Sequence, residues 1–195
     1  QSLVANWGGR IHRIDIASGA AREIPFTADV SLDLGPKLRF PIRVEEGPVK
    51  ARLIQGAAPS PDGSWLAFSS LTRLYWMELP AGRPVRLTAQ DAREYQPAWS
   101  PDGQWIAYTT WTDAGGHIWK VRTDGSGAPQ QLTRIAAYYR DPVWSPDGTR
   151  IVALRARTQA RLQAVTEIGT MPVGMHLVWL PAAGGDATVI APALG

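Results

Sequence analysis

A four-residue motif, Ser-Pro-Asp-Gly, occurs three times in this chain of 195 residues and limits its possible folds more than any other feature. The copies begin at Ser60, Ser100 and Ser145, so they are 40 and 45 residues apart. Repeats of this length are typical of the four-stranded blades of a β-propeller. The sequence therefore predicts a chain built from similar β units.

Short strand-like runs accompany every copy of the motif. An inner run such as YQPAWS or RDPVWS precedes it, and WLAFSS, WIAYTT or RIVALR follows it. A third run, such as LYWMEL or HIWKVRT, then leads to a Gly-containing turn and a fourth run. Hydrophobic residues alternate along these runs, as they do in strands packed between layers. We therefore predict an all-β fold, a β-propeller of four-stranded antiparallel blades.

The repeat divides the chain, taken as one propeller domain over residues 1–195, into about four blades or partial blades. The predicted blade parts are 1–26, 55–90, 91–135 and 136–192, with insertions at about 27–54 and 155–174. Insertions into a repeat usually form loops, often on a binding face. Because the chain begins inside a unit, we expect an incomplete propeller, completed by further sequence or by a second copy of the chain.

The motif itself has the chemistry of a tight turn. Pro presets the second turn position, Asp can accept hydrogen bonds from nearby backbone N–H groups, and Gly adopts the left-handed conformation. A catalytic residue is rarely needed three times in one small chain. We therefore predict a structural role in turns for Asp62, Gly63, Asp102, Gly103, Asp147 and Gly148.

Composition excludes several classes of function. The chain has 20 basic and 17 acidic residues, and the basic ones are scattered, so we expect no nucleic-acid partner. It has no cysteine, which excludes disulfides and thiolate metal sites. No apolar run approaches the roughly 18 residues that span a membrane.

One group of residues does not repeat and is our candidate ligand or partner site. Tyr138, Tyr139, Arg140 and Asp141 precede an inner strand, at the mouth of the central channel of a propeller, and the earlier unit supplies Glu94 and Tyr95 to the same rim. Aromatic rings beside an Arg suit a peptide or a carboxylate ligand. The alternative is an ion pair within one blade, with the Tyr residues as packing.

The histidines are weaker candidates. His117 follows Asp-Ala-Gly-Gly in a loop and is a possible rim residue, either paired with Asp113 or capping the loop end. His12 and His176 align with Tyr75 and Trp119, which favours packing over a metal role. No catalytic residue and no metal site are predicted.

The pattern Pro-x-Trp-Ser-Pro-Asp-Gly, followed by an aliphatic strand, another strand, a Gly turn and Leu-Thr, resembles the TolB-like, WD-related β-propeller. More narrowly, LGPKLRFPIRVEEGPVKARLIQGAAPSPDG, TTWTDAGGHIWKV and AAYYRDPVWSPDG are similar to the propeller portion of bacterial proteins in which such a propeller is joined to an amidohydrolase domain. The first repeat departs from the pattern, with Ala57 and Pro59 where Pro97 and Trp99 stand in the next, so its inner strand is expected to be irregular.

The resemblance implies a protein-interaction or substrate-gating module of a larger metal-dependent hydrolase, and it favours a periplasmic or secreted location. The His-x-His motif of amidohydrolases is missing from this sequence. We therefore expect no catalysis and no cofactor in this chain, with any metal held by a linked hydrolase domain. One alternative is an independent enzyme, or a propeller that binds a substrate, small ligand or peptide, with its site in the central channel built from Arg140, Asp141, Tyr139 and Glu94. Another is a stand-alone periplasmic scaffold with a protein partner.

Overall fold

The computed structural model describes residues 1–33, 35, 47–164 and 174–193. The two predicted insertions lie partly outside these ranges. Two compact units are present, residues 1–47 and 48–195.

The first unit contains a three-stranded antiparallel sheet, blade I. Its strands, in spatial order, are β1 (Ser2–Trp7), β2 (Arg10–Asp15) and β3 (Ala21–Glu23). The Trp7 ring stacks on the His12 ring with centroids 3.7 Å apart. His12 therefore has the packing role that the sequence alignment favours.

The second unit contains three four-stranded antiparallel sheets, which confirms the predicted all-β fold and blade type. We call them blades II, III and IV. Blade II comprises β4 (Gln55–Pro59), β5 (Trp65–Ser70), β6 (Arg73–Glu78) and β7 (Val85–Arg86). Blade III comprises β8 (Arg93–Trp99), β9 (Trp105–Trp111), β10 (Ile118–Arg122) and β11 (Gln130–Gln131). Blade IV comprises β12 (Tyr138–Trp144), β13 (Arg150–Ala156), β14 (His176–Pro181) and β15 (Thr188–Ala191), and a short helix, α1 (Thr158–Ala164), follows β13.

Two hydrophobic clusters join the three blades. The cluster between blades II and III contains Ala67, Leu74, Ile106, Tyr108 and Val121. The cluster between blades III and IV contains Ala107, Ile118, Leu132, Ala137, Tyr139, Ile151, Ala153, Val178 and Leu180. Blade III therefore buries both of its faces, which explains why β9 is almost continuously apolar rather than alternating with charged residues.

Two tryptophans tie neighbouring inner strands together. The indole N–H of Trp99 donates to the Ala58 carbonyl at 2.9 Å, and that of Trp144 donates to the Ala98 carbonyl at 3.0 Å. Each hydrogen bond joins one blade to the preceding one at an equivalent position of the repeat. The recurring Trp thus both fills the core and fixes the spacing of adjacent blades.

Every inner strand of the second unit carries a bulge at the same place. The pairing register shifts between Gln55 and Ala58 in β4, between Tyr95 and Ala98 in β8, and between Arg140 and Val143 in β12. The residues at these shifts, Gly56, Gln96 and Asp141, have φ angles of 58°, 54° and 50°. The irregularity expected for the first repeat is present, and it belongs to all three repeats.

The Ser-Pro-Asp-Gly turns have nearly identical hydrogen bonds. In the second copy, the Gly103 N–H donates to the Ser100 carbonyl at 2.9 Å, and the Gln104 N–H donates to Asp102 Oδ1 at 3.0 Å. The Ser100 hydroxyl donates to Asp102 Oδ1 at 2.5 Å and accepts from the Trp105 N–H at 2.9 Å. The Ser side chain therefore links the turn to the next strand, a role that the sequence reasoning did not assign.

Substitution of Gly103 tests the turn. Its φ is 69°, a region that costs a residue with a side chain about 1–2 kcal/mol, and a β-branched residue is the least tolerant. An added Cβ would meet only Pro61 Cδ at 3.8 Å, so backbone strain rather than a clash is the expected cause. We expect Gly103→Val to lower the free energy of unfolding by about 2 kcal/mol in chemical denaturation.

Asn is the matched control because it tolerates the left-handed region. Gly103→Asn is expected to lose less than half as much stability as Gly103→Val. Equal stability of the Val variant and the original chain would contradict the turn geometry.

The turn carboxylates make stability depend on acid pH. Hydrogen bonds, the largest from the hydroxyls of Ser60 and Ser145, hold the pKa of Asp62 and of Asp147 at about 2, below the ordinary value of 3.8. A lowered folded-state pKa stabilises the fold at pH values above the unfolded pKa, and this stabilisation is lost as the pH falls through the folded pKa. We therefore expect the free energy of unfolding to fall between about pH 4 and pH 2.

The double variant Asp62→Asn, Asp147→Asn should show a shallower fall over the same window, measured by denaturant unfolding at several pH values. Asp113→Asn is the control, since the Asp113 carboxylate makes no hydrogen bond or ion pair with the residues that the structure describes. Identical pH profiles for the double variant and the original chain would show that these turns do not carry the effect.

Candidate functional site

A cleft of about 470 Å³ lies where the inner strands of blades II, III and IV begin. All three blades contribute to its walls, and α1 closes one side. The lining residues are Gln55, Gly56, Ser69, Tyr95, Gln96, Thr109, Thr110, Trp111, Tyr138, Tyr139, Arg140, Asp141 and Arg161.

The bulges of blades III and IV meet in this cleft. Gln96 Nε2 donates to Asp141 Oδ1 at 2.5 Å, and the Asp141 N–H donates to Gln96 Oε1 at 3.2 Å. Thr109 Oγ1 also donates to Gln96 Oε1, at 3.2 Å. The left-handed φ of both bulge residues turns their side chains toward each other, so the pair joins two blades across the cleft.

Blade II has Gly56 at the equivalent bulge position. A Cβ there would lie 3.3 Å from Gln96 Cα and 3.5 Å from Pro97 Cδ, so the absence of a side chain lets the two inner strands approach closely. It also removes the acceptor that Thr109 finds in Gln96. Ser69, the counterpart of Thr109, is 1% exposed, and its hydroxyl has no hydrogen-bond partner in the part of the chain that the structure describes.

Aromatic rings and a guanidinium line another part of the cleft, which we call the aromatic wall: Trp111, Tyr138 and Arg161. The rings of Trp111 and Tyr138 meet edge to face with centroids 5.4 Å apart. The guanidinium of Arg161, in α1, lies over the Tyr138 ring at 5.1 Å from its centroid. Sequence reasoning missed Arg161, although it placed 155–174 as an insertion of the kind that often lies on a binding face.

Five of the seven predicted rim residues line the cleft: Tyr95, Tyr138, Tyr139, Arg140 and Asp141. Arg140 and Asp141 form an ion pair at 3.5 Å. Tyr139 is only 2% exposed, its hydroxyl donates to the Ile135 carbonyl at 3.0 Å, and burial raises its pKa. The Tyr139 ring therefore packs in the core beneath the cleft, whereas Tyr138 is part of the aromatic wall.

Glu94 does not line the cleft. It is fully buried, and its carboxylate accepts hydrogen bonds from the Leu74 N–H at 2.9 Å and from the Thr88 hydroxyl. Both donors belong to blade II, whereas Glu94 belongs to β8 of blade III. The carboxylate thus holds two blades together.

His117 is also outside the cleft lining. Its Nδ1 lies 3.0 Å from the Thr133 carbonyl oxygen and 3.1 Å from the Thr133 hydroxyl oxygen, and burial lowers its pKa. Thr133, rather than Asp113, is its hydrogen-bonding neighbour. His117 therefore secures the outer part of blade III.

Metal binding, the last histidine and membrane-spanning helices complete the description of candidate functional features. Among the described residues, no group of three or more His, Cys, Asp or Glu side chains is arranged to hold a metal ion. His176 Nδ1 accepts a hydrogen bond from the Ala193 N–H at 3.2 Å. None of the helices in the described ranges is long and apolar enough to cross a membrane.

Comparison with known families explains the repeated sheets. The family model described as the TolB beta propeller domain matches residues 49–175. The chain belongs to the TolB β-propeller domain family. Comparison with curated protein sequences finds no match.

Solved structures show the same fold at low identity. A protein assigned as TolB from Agrobacterium tumefaciens is 20% identical with a TM-score of 0.58, and the match covers 100% of this chain and 62% of that one. TolB from Acinetobacter baumannii is 18% identical with a TM-score of 0.52, and the match covers 98% and 40% of the two chains. Oligogalacturonate lyase from Vibrio parahaemolyticus is 16% identical with a TM-score of 0.53, and the match covers 75% and 42%. This TolB-type chain thus spans about 40–62% of the length of these three structures.

Glu94 offers a test of how the cleft is supported. Glu94→Ala removes the acceptor for the buried Leu74 N–H and leaves a cavity, so we expect the free energy of unfolding to fall by about 3 kcal/mol. Denaturant unfolding followed by tryptophan fluorescence measures the change.

Glu94→Gln is the matched control, because its amide oxygen can still accept from Leu74. It should lose less stability than the Ala variant. An Ala variant as stable as the original chain would show that this inter-blade carboxylate contributes nothing.

Proposed function

We propose that this TolB-like propeller domain is a non-catalytic binding module whose cleft holds a carboxylate-bearing segment of a protein partner. The observation that carries the proposal is the cleft itself, which combines a guanidinium, aromatic ring faces and a buried hydroxyl that has no hydrogen-bond partner among the described residues. Each of these groups suits a carboxylate on a peptide.

The charges of the cleft favour an anionic ligand. Arg140 and Asp141 form an ion pair and offset each other. Among the described residues Arg161 has no ion-pair partner, and its guanidinium contacts the Tyr138 ring face instead. Ser69 can donate one hydrogen bond to a bound oxygen, and an unpaired buried hydroxyl costs about 1–3 kcal/mol, which binding would recover.

Our proposal for the partner is a covalently linked hydrolase domain of the amidohydrolase type, in which the propeller gates access or docks the substrate. It is supported by the resemblance of the sequence to propellers joined to such domains. In that arrangement any catalytic metal belongs to the hydrolase domain. A separate periplasmic partner protein and a free small ligand are the alternatives.

A pool of random tripeptides with free C-terminal carboxylates, compared with the same pool amidated, tests the ligand chemistry. We expect the free-acid pool to shift the backbone NMR signals of Thr109 and Thr110 and the indole signal of Trp111, and the amidated pool to do so much less. A separate titration with digalacturonate tests for a small ligand. Digalacturonate is a carboxylated sugar, related in chemistry to the oligogalacturonate in the name of one structural neighbour. Equal effects of the two peptide pools would contradict a carboxylate site.

Arg161→Gln tests the residue that supplies the charge. A charge-assisted hydrogen bond is worth about 1.5–3 kcal/mol, so we expect affinity for the free-acid pool to fall at least about tenfold. Arg122→Gln is the matched control, since Arg122 pairs with Asp124 and does not line the cleft. Equal losses in the two variants would indicate a general charge effect and count against the site.

A further inference from the structure

A second cleft, of about 360 Å³, lies at the opposite ends of the inner strands, between blades II and III. It is bounded by two of the Ser-Pro-Asp-Gly turns and by the turn after β10. Its lining residues are Ser60, Pro61, Asp62, Trp65, Trp76, Trp99, Pro101, Asp102, Gly103, Thr123 and Asp124. Nothing in the proposed function uses this cleft.

Blades III and IV each place a cation of their own over a Trp at this end of the sheet. In blade III, Lys120 Nζ lies 4.3 Å and the Arg122 guanidinium 5.1 Å from the Trp105 ring centroid. In blade IV, the Arg150 guanidinium lies 4.5 Å from the Trp179 ring centroid.

In blade II, the residues that the structure describes include no such cation. The strand register aligns Trp65 of blade II with Trp105 of blade III. It also aligns Trp76 with Lys120, because Trp76 pairs with Ala67 and Lys120 pairs with the equivalent residue, Ala107. Trp65 and Trp76 stack on each other with centroids 4.5 Å apart and an interplanar angle of 21°. Within the described ranges, no Lys or Arg lies over either ring, although cations bind favourably to indole faces.

Carboxylates surround these rings. Arg122 pairs with Asp124, but Asp62 and Asp102 form no ion pair with the residues that the structure describes. The hydroxyls of Ser60 and Ser100 donate to them and lower the pKa of both, and the nearby charge of Arg122 contributes a smaller lowering to Asp102. Three carboxylates, those of Asp62, Asp102 and Asp124, thus lie at this cleft with the single guanidinium of Arg122. An aromatic cleft with an excess of negative charge is complementary to an organic cation.

We propose that this cleft binds an organic cation, a guanidinium or alkylammonium group, against the indoles of Trp65 and Trp76 with Asp62 and Asp102 as its counter-charges. The cation takes the role that Lys120 and Arg150 play within blades III and IV. It can come from an Arg side chain of a partner protein or from a free quaternary ammonium compound. The proposal is independent of the carboxylate site at the other end of the inner strands.

The full chain is titrated with N-acetyl-argininamide and, separately, with N-acetyl-citrullinamide, which has nearly the same shape and no charge. We expect the arginine compound to shift the indole N–H signals of Trp65 and Trp76 in NMR spectra and to bind at least about tenfold more tightly than the citrulline compound. A choline titration distinguishes the two sources of the cation. Tighter binding of the arginine compound indicates an Arg side chain of a partner protein, and tighter binding of choline indicates a free quaternary ammonium compound. Equal binding of arginine and citrulline compounds, with weak or no binding of choline, overturns the proposal.

Trp76→Lys is the decisive variant, because it recreates in blade II the arrangement of Lys120 over Trp105. We expect it to lose at least about tenfold in affinity for the cation while its melting temperature shows that it is folded. Trp76→Phe keeps a ring face and should retain most of the binding. If Trp76→Lys fails to fold, the double variant Asp62→Asn, Asp102→Asn should show the same loss, and unchanged binding in either folded variant overturns the proposal.

Discussion

Burial of both faces of a sheet is the constraint on which the second unit depends. Ile106 and Ala107 are neighbours in β9 and point to opposite faces, yet both are fully buried, one against blade II and the other against blade IV. Burying a large aliphatic side chain is worth about 1.5–3 kcal/mol, and a single blade cannot achieve this on both faces. Each blade therefore needs its neighbours, which is the reason that the chain repeats.

This dependence places polar groups where blades meet. Glu94 reaches from blade III to the backbone of blade II, and Gln96 reaches from blade III to Asp141 of blade IV. The indole N–H groups of Trp99 and Trp144 do the same farther along the inner strands. Since hydrophobic contact is not directional, these hydrogen bonds are what define the relative positions of adjacent inner strands, and so the geometry of the clefts at their two ends.

The sequence correctly predicts the features that depend on residues close together along the chain. The all-β fold and the four-stranded blades follow from turn residues and from runs of strand-forming residues that recur along the chain. The roles of Glu94, Ser69 and Arg161 depend instead on which side chains of other blades or elements lie beside them. Glu94 looks like a rim residue in the sequence because it precedes an inner strand, and only its contact with Leu74 reveals a buried acceptor. No pattern within one repeat contains that information.

Comparison of equivalent positions in the three blades recovers part of what a single repeat cannot show. The bulge position holds Gly56, Gln96 and Asp141, and the loss of the side chain in blade II leaves the Ser69 hydroxyl beside the first cleft with no hydrogen-bond partner among the described residues. The position that holds Lys120 in blade III holds Trp76 in blade II, and this exchange leaves two indoles among carboxylates. The repeat already satisfies the requirements of the fold. Where blade II departs from it, a hydrogen-bond donor and an aromatic face lack, among the described residues, the partner that their counterparts in blades III and IV have. A ligand with the missing group then gains the interaction that the other blades make internally, so blade II contributes one such group to each cleft: the Ser69 hydroxyl to the first and the Trp65 and Trp76 rings to the second.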